Sequence, residues 1–544
     1  MKSAKGSTSR RGHRWWMPGV VVALATILLL FMWTRPTDET TLESQVVVTL
    51  MVVVPGSLLV AIWWFCFSRF AWWVRLLVPI SIVAGTVGVA SQIRRFEMSG
   101  DQVPIVEFKW SQPREARLAA HRDRLRAQGT KSNCHGIPRA DASPTEFGAD
   151  DFPEYRGRAR DGVVHGPPLS QDWTSQPPRL LWRQPVGAGC AGVVVVANSV
   201  ITCEQRGDNE AIVCYDKQSG TECWVHQYPA RFNSSGGEGP RATPTVFRGN
   251  VYAYGATGKL TCVEGQTGTL RWSVDVVPSD ASANLDHGQS CSPLAYAELI
   301  IVTPGVAKGA VDSRGVLAYD ATSGHPVWNA GSRSGSYASP MIVALAGQPQ
   351  LLVLDAVGLV GYELSTGQEL WHFDWADREG SEFNITQPIV LPGDRVFVSC
   401  GMGSVLVQVA KVEQSWTAKE IWRSRDLQAM YSNPVAYGEY LYGLSRGILT
   451  CIDARTGQRC WKAGRYRHGQ LLLCGDQLVI QSETGDLALV EASPEKYRLV
   501  TSFHAIDGIK SWNNPAMSGG LIVLRNNLEM ACYDLRPVPV PAAP

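Results

Sequence analysis

Two pairs of cysteines are the first residues whose type and spacing suggest chemistry. Cys214 and Cys223 stand nine residues apart, as do Cys451 and Cys460. A short hairpin loop would place each pair on facing strands, within reach of a cross-strand disulfide. The alternative is packing: Cys214, Cys451, Cys262 and Cys532 occupy matching places in similar segments, and Cys is among the most buried residue types. Thirteen cysteines in 544 residues are too few for a disulfide scaffold. There is no CxxC, HExxH or GxSxG motif and no EF-hand loop. Gly255–Lys259 resembles a phosphate loop only in part, lacking the spacing and the Ser/Thr after Lys. No catalytic residue is named, and no metal site.

A second set is suited to binding rather than bond-breaking. Arg241, Tyr337, Asn384, Tyr431, Trp512 and Asn513 each precede a polar-Pro pair or lie close to one, and His468 has the equivalent place in another segment. Glu204, Gln205 and Arg206 join them from an earlier loop. Aromatic residues and Arg are favoured at protein-binding hot spots. Each could instead satisfy turn backbone or fill a central channel.

These residues are positioned by a repeat. Trp182, Trp224, Trp272, Trp328, Trp371, Trp422 and Trp461 follow one another at intervals of 42, 48, 56, 43, 51 and 39, and Phe503 continues the series after 42 more. Periods of this length are those of propeller blades. The text before five of the Trp also recurs: CYDKQSGTECW, CVEGQTGTLRW, AYDATSGHPVW, GYELSTGQELW and CIDARTGQRCW. The acid, the Ser/Thr and Gly220, Gly268, Gly324, Gly367 or Gly457 make a tight turn, with Asp216, Asp320 and Asp453 bonding local backbone. The Trp then docks its ring on a neighbouring sheet. Thr243-Pro244, Ser292-Pro293, Ser339-Pro340, Gln387-Pro388, Asn433-Pro434 and Asn514-Pro515 each begin a short apolar run, a turn and an alternating strand. Each unit therefore holds about four short strands. The last unit, ending at 531–535, lacks its Trp strand, and the strand around Trp182 lacks a predecessor. Joined, they complete one blade. The expected fold is all-β: an eight-bladed propeller of four-stranded antiparallel blades, closed by its N- and C-terminal strands, over residues 151–540.

Ahead of it lies a membrane region. A basic tail (1–14) carries Lys2, Lys5, Arg10, Arg11 and Arg14, and uncharged runs follow at 15–33, 46–67 and 76–93. Each is long enough to cross a hydrocarbon core as a helix. The excess of Lys and Arg in the tail sets the N-terminus in the cytoplasm, three spans and an exoplasmic propeller. The expected location is the inner membrane. Residues 94–150 read as a linker, with a basic, solvated or headgroup-facing helix over 114–126. Fifty basic residues against 49 acidic exclude a strongly basic nucleic-acid binder.

The repeated segments resemble the quinoprotein-type repeat, AxDxxTGxxxW, and FPEYRGRARDGV (Phe152–Val163) and GPRATPTV (Gly239–Val246) are similar to bacterial PQQ-binding-like β-propeller proteins. The resemblance implies an eight-bladed propeller and one of two functions. One branch holds pyrroloquinoline quinone and Ca²⁺ over the channel as dehydrogenases. The other binds no cofactor and acts in protein assembly, as does the lipoprotein subunit of the outer-membrane β-barrel assembly machinery. The adjacent Cys-Cys pair of the branch's alcohol dehydrogenases is absent here. Glu204, Asp286 and Asn384 could be nominated as Ca²⁺ ligands only through assumed loop positions. The expected function is therefore a membrane-tethered, non-catalytic platform for a protein or peptide in the cell envelope, in contact with lipid and without cofactor. The alternatives are a PQQ- and calcium-dependent membrane dehydrogenase and a ligand-sensing ectodomain.

Overall fold

The structure is a computed structural model that describes residues 16–34, 42–127, 137, 147–277, 284–304, 315–375, 384–508 and 510–537. The basic tail 1–14 lies outside these residues. The chain divides into two units, Met1–Ser111 and Gln112–Pro544.

In the first unit, α1 (Trp16–Thr34), α2 (Leu42–Ile62) and α3 (Trp72–Ser91) are long and apolar enough to cross a membrane. Their bounds fall close to the uncharged runs, except that α3 begins before Arg75. That charge is tolerated because its guanidinium turns back onto the tight connection between α2 and α3. It donates to the carbonyls of Phe70 (3.0 Å) and Phe65 (3.1 Å) and to that of Ser68. The stretch read as a linker is not bare chain. It forms an antiparallel hairpin, β1 (Ile93–Met98) and β2 (Pro104–Phe108), and then α4 (Arg114–Ala127), which belongs to the second unit. The helix expected over 114–126 is present, but one face is covered rather than solvated. Leu118 is buried, and Arg122, four residues on and so on the same face, pairs with Glu222 at 3.0 Å. Burial also holds the imidazole of His121 below its ordinary pKa, opposed by a hydrogen bond with Gln184.

The second unit is the propeller. Seven blades are formed from consecutive strands between Val193 and His504. The eighth joins Ala516–Ser518, Leu521–Arg525 and Glu529–Asp534 to the early strand Arg179–Pro185. The closing register sets Cys532 opposite Trp182 and Asp534 opposite Arg179. Blades are numbered 1 to 8 from Val193.

The repeat residues hold one blade to the next. The small position lies directly across the ladder from the Trp: Cys214 opposite Trp224, Cys262 opposite Trp272, Ala318 opposite Trp328 and Cys451 opposite Trp461. The indoles of Trp182, Trp224, Trp272, Trp328 and Trp422 then cover the turn glycine of the following blade. A Cβ on Gly220 would lie 2.7 Å from the Trp182 ring, and one on Gly268 2.5 Å from Trp224. Both glycines have φ near +70°, a left-handed conformation that disfavours a side chain independently of space. The indole N–H groups of Trp182, Trp224, Trp272, Trp422 and Trp461 donate to carbonyls of Lys217, Gly265, Ala321, Ala454 and Ser493, at 2.8–3.1 Å. Trp371 differs for a local reason. Blade 5 replaces the acid-turn-glycine segment with two ten-residue strands, Gly403–Val412 and Ser415–Ser424, so no turn glycine awaits the ring. The Trp371 indole instead donates within its own blade to Gln350 Oε1, at 2.7 Å.

The polar-Pro pairs form a second belt. The backbone N–H of Thr243 donates to Ser292 Oγ in the next blade, that of Ser292 to Ser339 Oγ, and that of Gln387 to Asn433 Oδ1. The proline after each polar residue starts the innermost strand but leaves carbonyls pointing at the axis. A segment that the sequence offered only as a family resemblance satisfies those of Ser292, Pro293, Pro340 and Pro434. Residues 152–164 thread across the ring. Phe152 bridges Val195 in blade 1, and Val246 in blade 2 donates to Pro153 O. Val163 pairs in parallel with Leu473 in blade 7. Arg160, fully buried, donates to the carbonyls of Ser292, Pro293 and Pro340, to Thr245 Oγ1 and to the Glu154 carboxylate. Arg156 reaches Pro434 O at 2.8 Å, and Tyr155 accepts from Asn433 at 2.9 Å. At the seam, buried Arg525 of blade 8 donates to carbonyls of Gly187, Ala191 and Cys203 around blade 1.

Replacing Arg160 with Met removes these bonds, leaves the axial carbonyls without their donor and strips half-buried Glu154 of its partner; unfolding in urea should show a loss of about 3–5 kcal/mol. The closing blade has its own pH signature. Hydrogen bonds from the Arg536 side chain first, with its backbone N–H and Arg179 adding, hold the Asp534 carboxyl down at about 2, against an ordinary 3.8. A depressed carboxyl stabilises the fold above its unfolded pKa and loses that stabilisation as pH falls. Stability should therefore decline between about pH 3.8 and about 2, and Asp534→Asn should remove that part of the acid sensitivity in pH-dependent melting curves.

Candidate functional site

The residues nominated for binding cluster near the face at which the chain enters each innermost strand, here termed the inlet face. Three come together. The rings of Tyr431 and Trp512, from the connections into blades 6 and 8, stack at 5.0 Å and 10°. His468, from the connection into blade 7, meets Tyr431 edge-on at 5.0 Å. Gln470 holds the group in register, its side-chain amide donating to the carbonyls of Tyr431 (2.8 Å) and Trp512 (3.1 Å). Two further residues complete the cluster. Lys510 Nζ lies 4.3 Å from the centre of the Trp512 ring, a cation–π contact. The Trp512 indole N–H donates to Glu483 Oε1 at 2.8 Å. Neither Lys510 nor Glu483 was nominated from sequence. Lys510 stands two residues before Trp512, a spacing that could have singled it out, whereas Glu483 comes from a strand turn with no repeat signal. Tyr431 and Trp512 are partly exposed.

Arg241 and Tyr337 build a neighbouring patch around the short hairpin Asn233–Ser234 and Gly237–Glu238. Arg241 donates to Gly237 O at 2.6 Å and to Ser234 Oγ at 3.0 Å, and its guanidinium lies over Phe232 at 4.7 Å. The Tyr337 hydroxyl accepts from the backbone of His287. Lys510 Nζ donates to Gly236 O at 2.7 Å and so links the two patches.

The other nominated residues serve the scaffold. Asn384 is buried and donates to Asp355 O at 2.7 Å. Asn513 donates to the carbonyls of Gly189 and Ala191, joining blade 8 to blade 1. Gln205 donates to Gly207 and Ala230. Glu204 accepts from Arg206, from the Tyr215 hydroxyl at 2.6 Å and from the backbone of Gly187, while Arg206 also pairs with Glu222. Burial alone would raise the Glu204 pKa; Arg206 and Arg525 outweigh it and hold the carboxyl below its ordinary value. This is a buried ion network between blades and α4.

Ca²⁺ needs six to eight oxygens converging on one point. Glu204 spends its oxygens on Arg206, Tyr215 and Gly187, Asn384 donates to a backbone carbonyl, and Asp286 is exposed. Among the described residues no three of His, Cys, Asp and Glu gather as metal ligands. The nominated residues do not fit a calcium ion together.

The cysteines follow the packing expectation at the small positions, and neither expected disulfide pair forms. Cys214 is a buried free thiol, so it is not paired with Cys223, which is disulfide-bonded. Cys451 is likewise buried and free, and Cys460 is exposed and free. The small positions are thus packing sites beneath the indoles. Burial pushes the thiols of Cys214, Cys262 and Cys532 up to about 12.

Residues 208–463 match a family model of PQQ-type repeats described as outer membrane protein assembly factor BamB. Among solved structures, the chain is similar to a quinohemoprotein alcohol dehydrogenase from Pseudomonas putida HK5 (13% identity, 75% of this chain and 85% of that one, TM-score 0.55). It is also similar to a quinohemoprotein alcohol dehydrogenase from Comamonas testosteroni (12% identity, 79% and 85%, TM-score 0.51) and to BamB from Moraxella catarrhalis (15% identity, 65% and 97%, TM-score 0.46). At these identities the likeness is one of fold. No curated protein matches the chain.

The thiol assignments are open to a direct check. In folded protein a maleimide should label Cys460 rapidly, and Cys214, Cys262, Cys451 and Cys532 only after unfolding without reductant; Cys223 should react only after unfolding with reductant. Mass spectrometry of labelled peptides reads each site.

Proposed function

We propose that this chain, an eight-bladed β-propeller of the PQQ-type repeat preceded by three apolar helices, is a membrane-tethered, non-catalytic platform that holds a protein or peptide at its inlet face in the cell envelope. One observation carries the reading: the Tyr431–Trp512–Lys510 stack with His468 at its edge. Rigid, amphipathic aromatic rings beside a cation are what concentrate binding energy in protein interfaces. The cluster presents no nucleophile with an adjacent base. The repeat residues themselves are committed to blade-to-blade packing, which leaves the connections between blades to carry function.

The matched family model supports the same direction, since its description is that of an assembly factor for outer-membrane proteins. The excess of Lys and Arg before the first helix favours a cytoplasmic N-terminus, and three crossings then put the propeller on the exoplasmic side of the inner membrane. The disulfide at Cys223 supports an oxidising compartment for the propeller. The dehydrogenase alternative shares the fold alone, and the residues nominated for its calcium do not converge.

Crosslinking on intact membranes followed by mass spectrometry tests the platform. Envelope polypeptides should crosslink to the inlet face, and Trp512→Ala or Tyr431→Ala should weaken their capture by about 2 kcal/mol, the size of a hot-spot truncation. Capture indifferent to both substitutions, or dye reduction that depends on added quinone and Ca²⁺, would overturn the proposal.

A further inference from the structure

The hairpin that follows α3 has its polarity reversed. Its cross-strand pairs put Phe96 opposite Val106 and Met98 opposite Pro104 on one face, with Arg95 opposite Glu107 and Glu97 opposite Ile105 on the other. In a half-buried hairpin in water the apolar face is the covered one. Here Glu97 is 1% exposed, and Phe96 is 52% exposed. The covered charges are paired: Glu107 lies 3.5 Å from Arg95 and 3.2 Å from Arg94. Trp110, just past the second strand, is 69% exposed and stacks on Phe108 at 4.3 Å and 6°.

The same hairpin is fixed to the end of a membrane-length helix. The backbone N–H of Lys109 donates to Gln92 O at 2.8 Å, and its ammonium donates to Ser91 O, the last carbonyl of α3, at 2.7 Å. Arg94 donates to Ser111 O at 2.9 Å and to Lys109 O. Twenty helical residues span about 30 Å, the thickness of the hydrocarbon core, so the base of the hairpin stands at the boundary where that core ends. Phe108 and Trp110 are at that base. Phe96 is three residues from Ile93, about 10 Å further along the strand.

From these two observations we propose that the Phe96–Val106 face of the hairpin, with Trp110, lies in the interfacial layer of the bilayer that α3 crosses, its apolar side chains directed to the acyl-chain boundary. Trp is enriched at that depth, and an apolar face turned outward is stable where its surroundings are lipid. The cations at the hairpin base are engaged with carbonyls and with Glu107. The contact is therefore made by apolar surface, not by pairing with anionic headgroups. The partner is the lipid surface itself, and the hairpin sets the depth at which the chain leaves the membrane.

The test uses the full-length chain in liposomes, with an environment-sensitive nitrobenzoxadiazole label at Val106→Cys or, separately, Phe96→Cys, in a Cys66→Ser/Cys460→Ser background. Both positions are exposed, so neither label displaces a core contact. Emission should be blue-shifted and largely quenched by doxyl-labelled phospholipid, insensitive to aqueous iodide, and equal in phosphatidylcholine and phosphatidylglycerol vesicles. Quenching by iodide would place the face in water. Protection from both quenchers would place it against protein. Quenching by doxyl lipid in phosphatidylglycerol vesicles alone would assign the contact to headgroup charge. Any of these three results overturns the proposal.

Discussion

The propeller depends on how the carbonyls at its axis are satisfied. Six of the eight innermost strands follow a proline, which cannot donate, and the carbonyls of Ser292, Pro293, Pro340 and Pro434 meet buried side chains there. An unpartnered carbonyl there costs as much as a lost hydrogen bond. Arg160 resolves this for blades 3 and 4 with one guanidinium, whose planar fork of donors also reaches Thr245 Oγ1 in blade 2. Arg156 does the same for the Pro434 carbonyl at blade 6, beside which the Tyr155 hydroxyl accepts from Asn433. The segment 152–164 is thus a central strut, and the ring is built around it. It also explains how the Arg160 side chain can be fully buried: all three of its nitrogens donate to acceptors.

The periodic part of this architecture was legible in the residues. A Trp every 39–56 residues, a turn glycine before it and a closing strand at each end all require only local text repeated at intervals. What was not legible has long-range causes. Arg160 meets partners 85 to 180 residues away, and nothing in ARARDG announces that. Arg525 looked like the end of an ordinary strand, yet it bonds carbonyls more than 300 residues earlier. The β1–β2 hairpin escaped for the opposite reason. Its alternation is clear in IRRFEM and PIVEF, but the flanking charges and the membrane helices before it made the whole stretch read as connection. The role of the polar residue before each proline was half visible: it marked a strand start, and the structure adds that it clasps the next blade.

The candidate site shows the same division. Residue type was a fair guide to who could bind, and Tyr431, His468 and Trp512 do converge. Type could not separate them from Asn384, Asn513 and Glu204, which have equally suitable side chains already engaged by the scaffold. Only the arrangement of neighbouring blades decides which side chains are held in the interior, His468 among them, and which stay partly exposed, as Tyr431 and Trp512 do. The disulfide at Cys223 is a further instance. Spacing offered Cys214 as a possible partner, but the ladder sets Cys214 against Trp224 and leaves it a buried free thiol.

Ring closure has a consequence for biogenesis. The early strand Arg179–Pro185 has one hydrogen-bonding partner, Glu529–Asp534, made some 340 residues later. A ribosome must therefore extend the chain to that last strand before the early edge is covered, and until then a nascent intermediate carries an open template for mispairing. The strut precedes every blade in order of synthesis, so it can collect them as they emerge, and the final hairpin acts as the latch that ends the vulnerable interval.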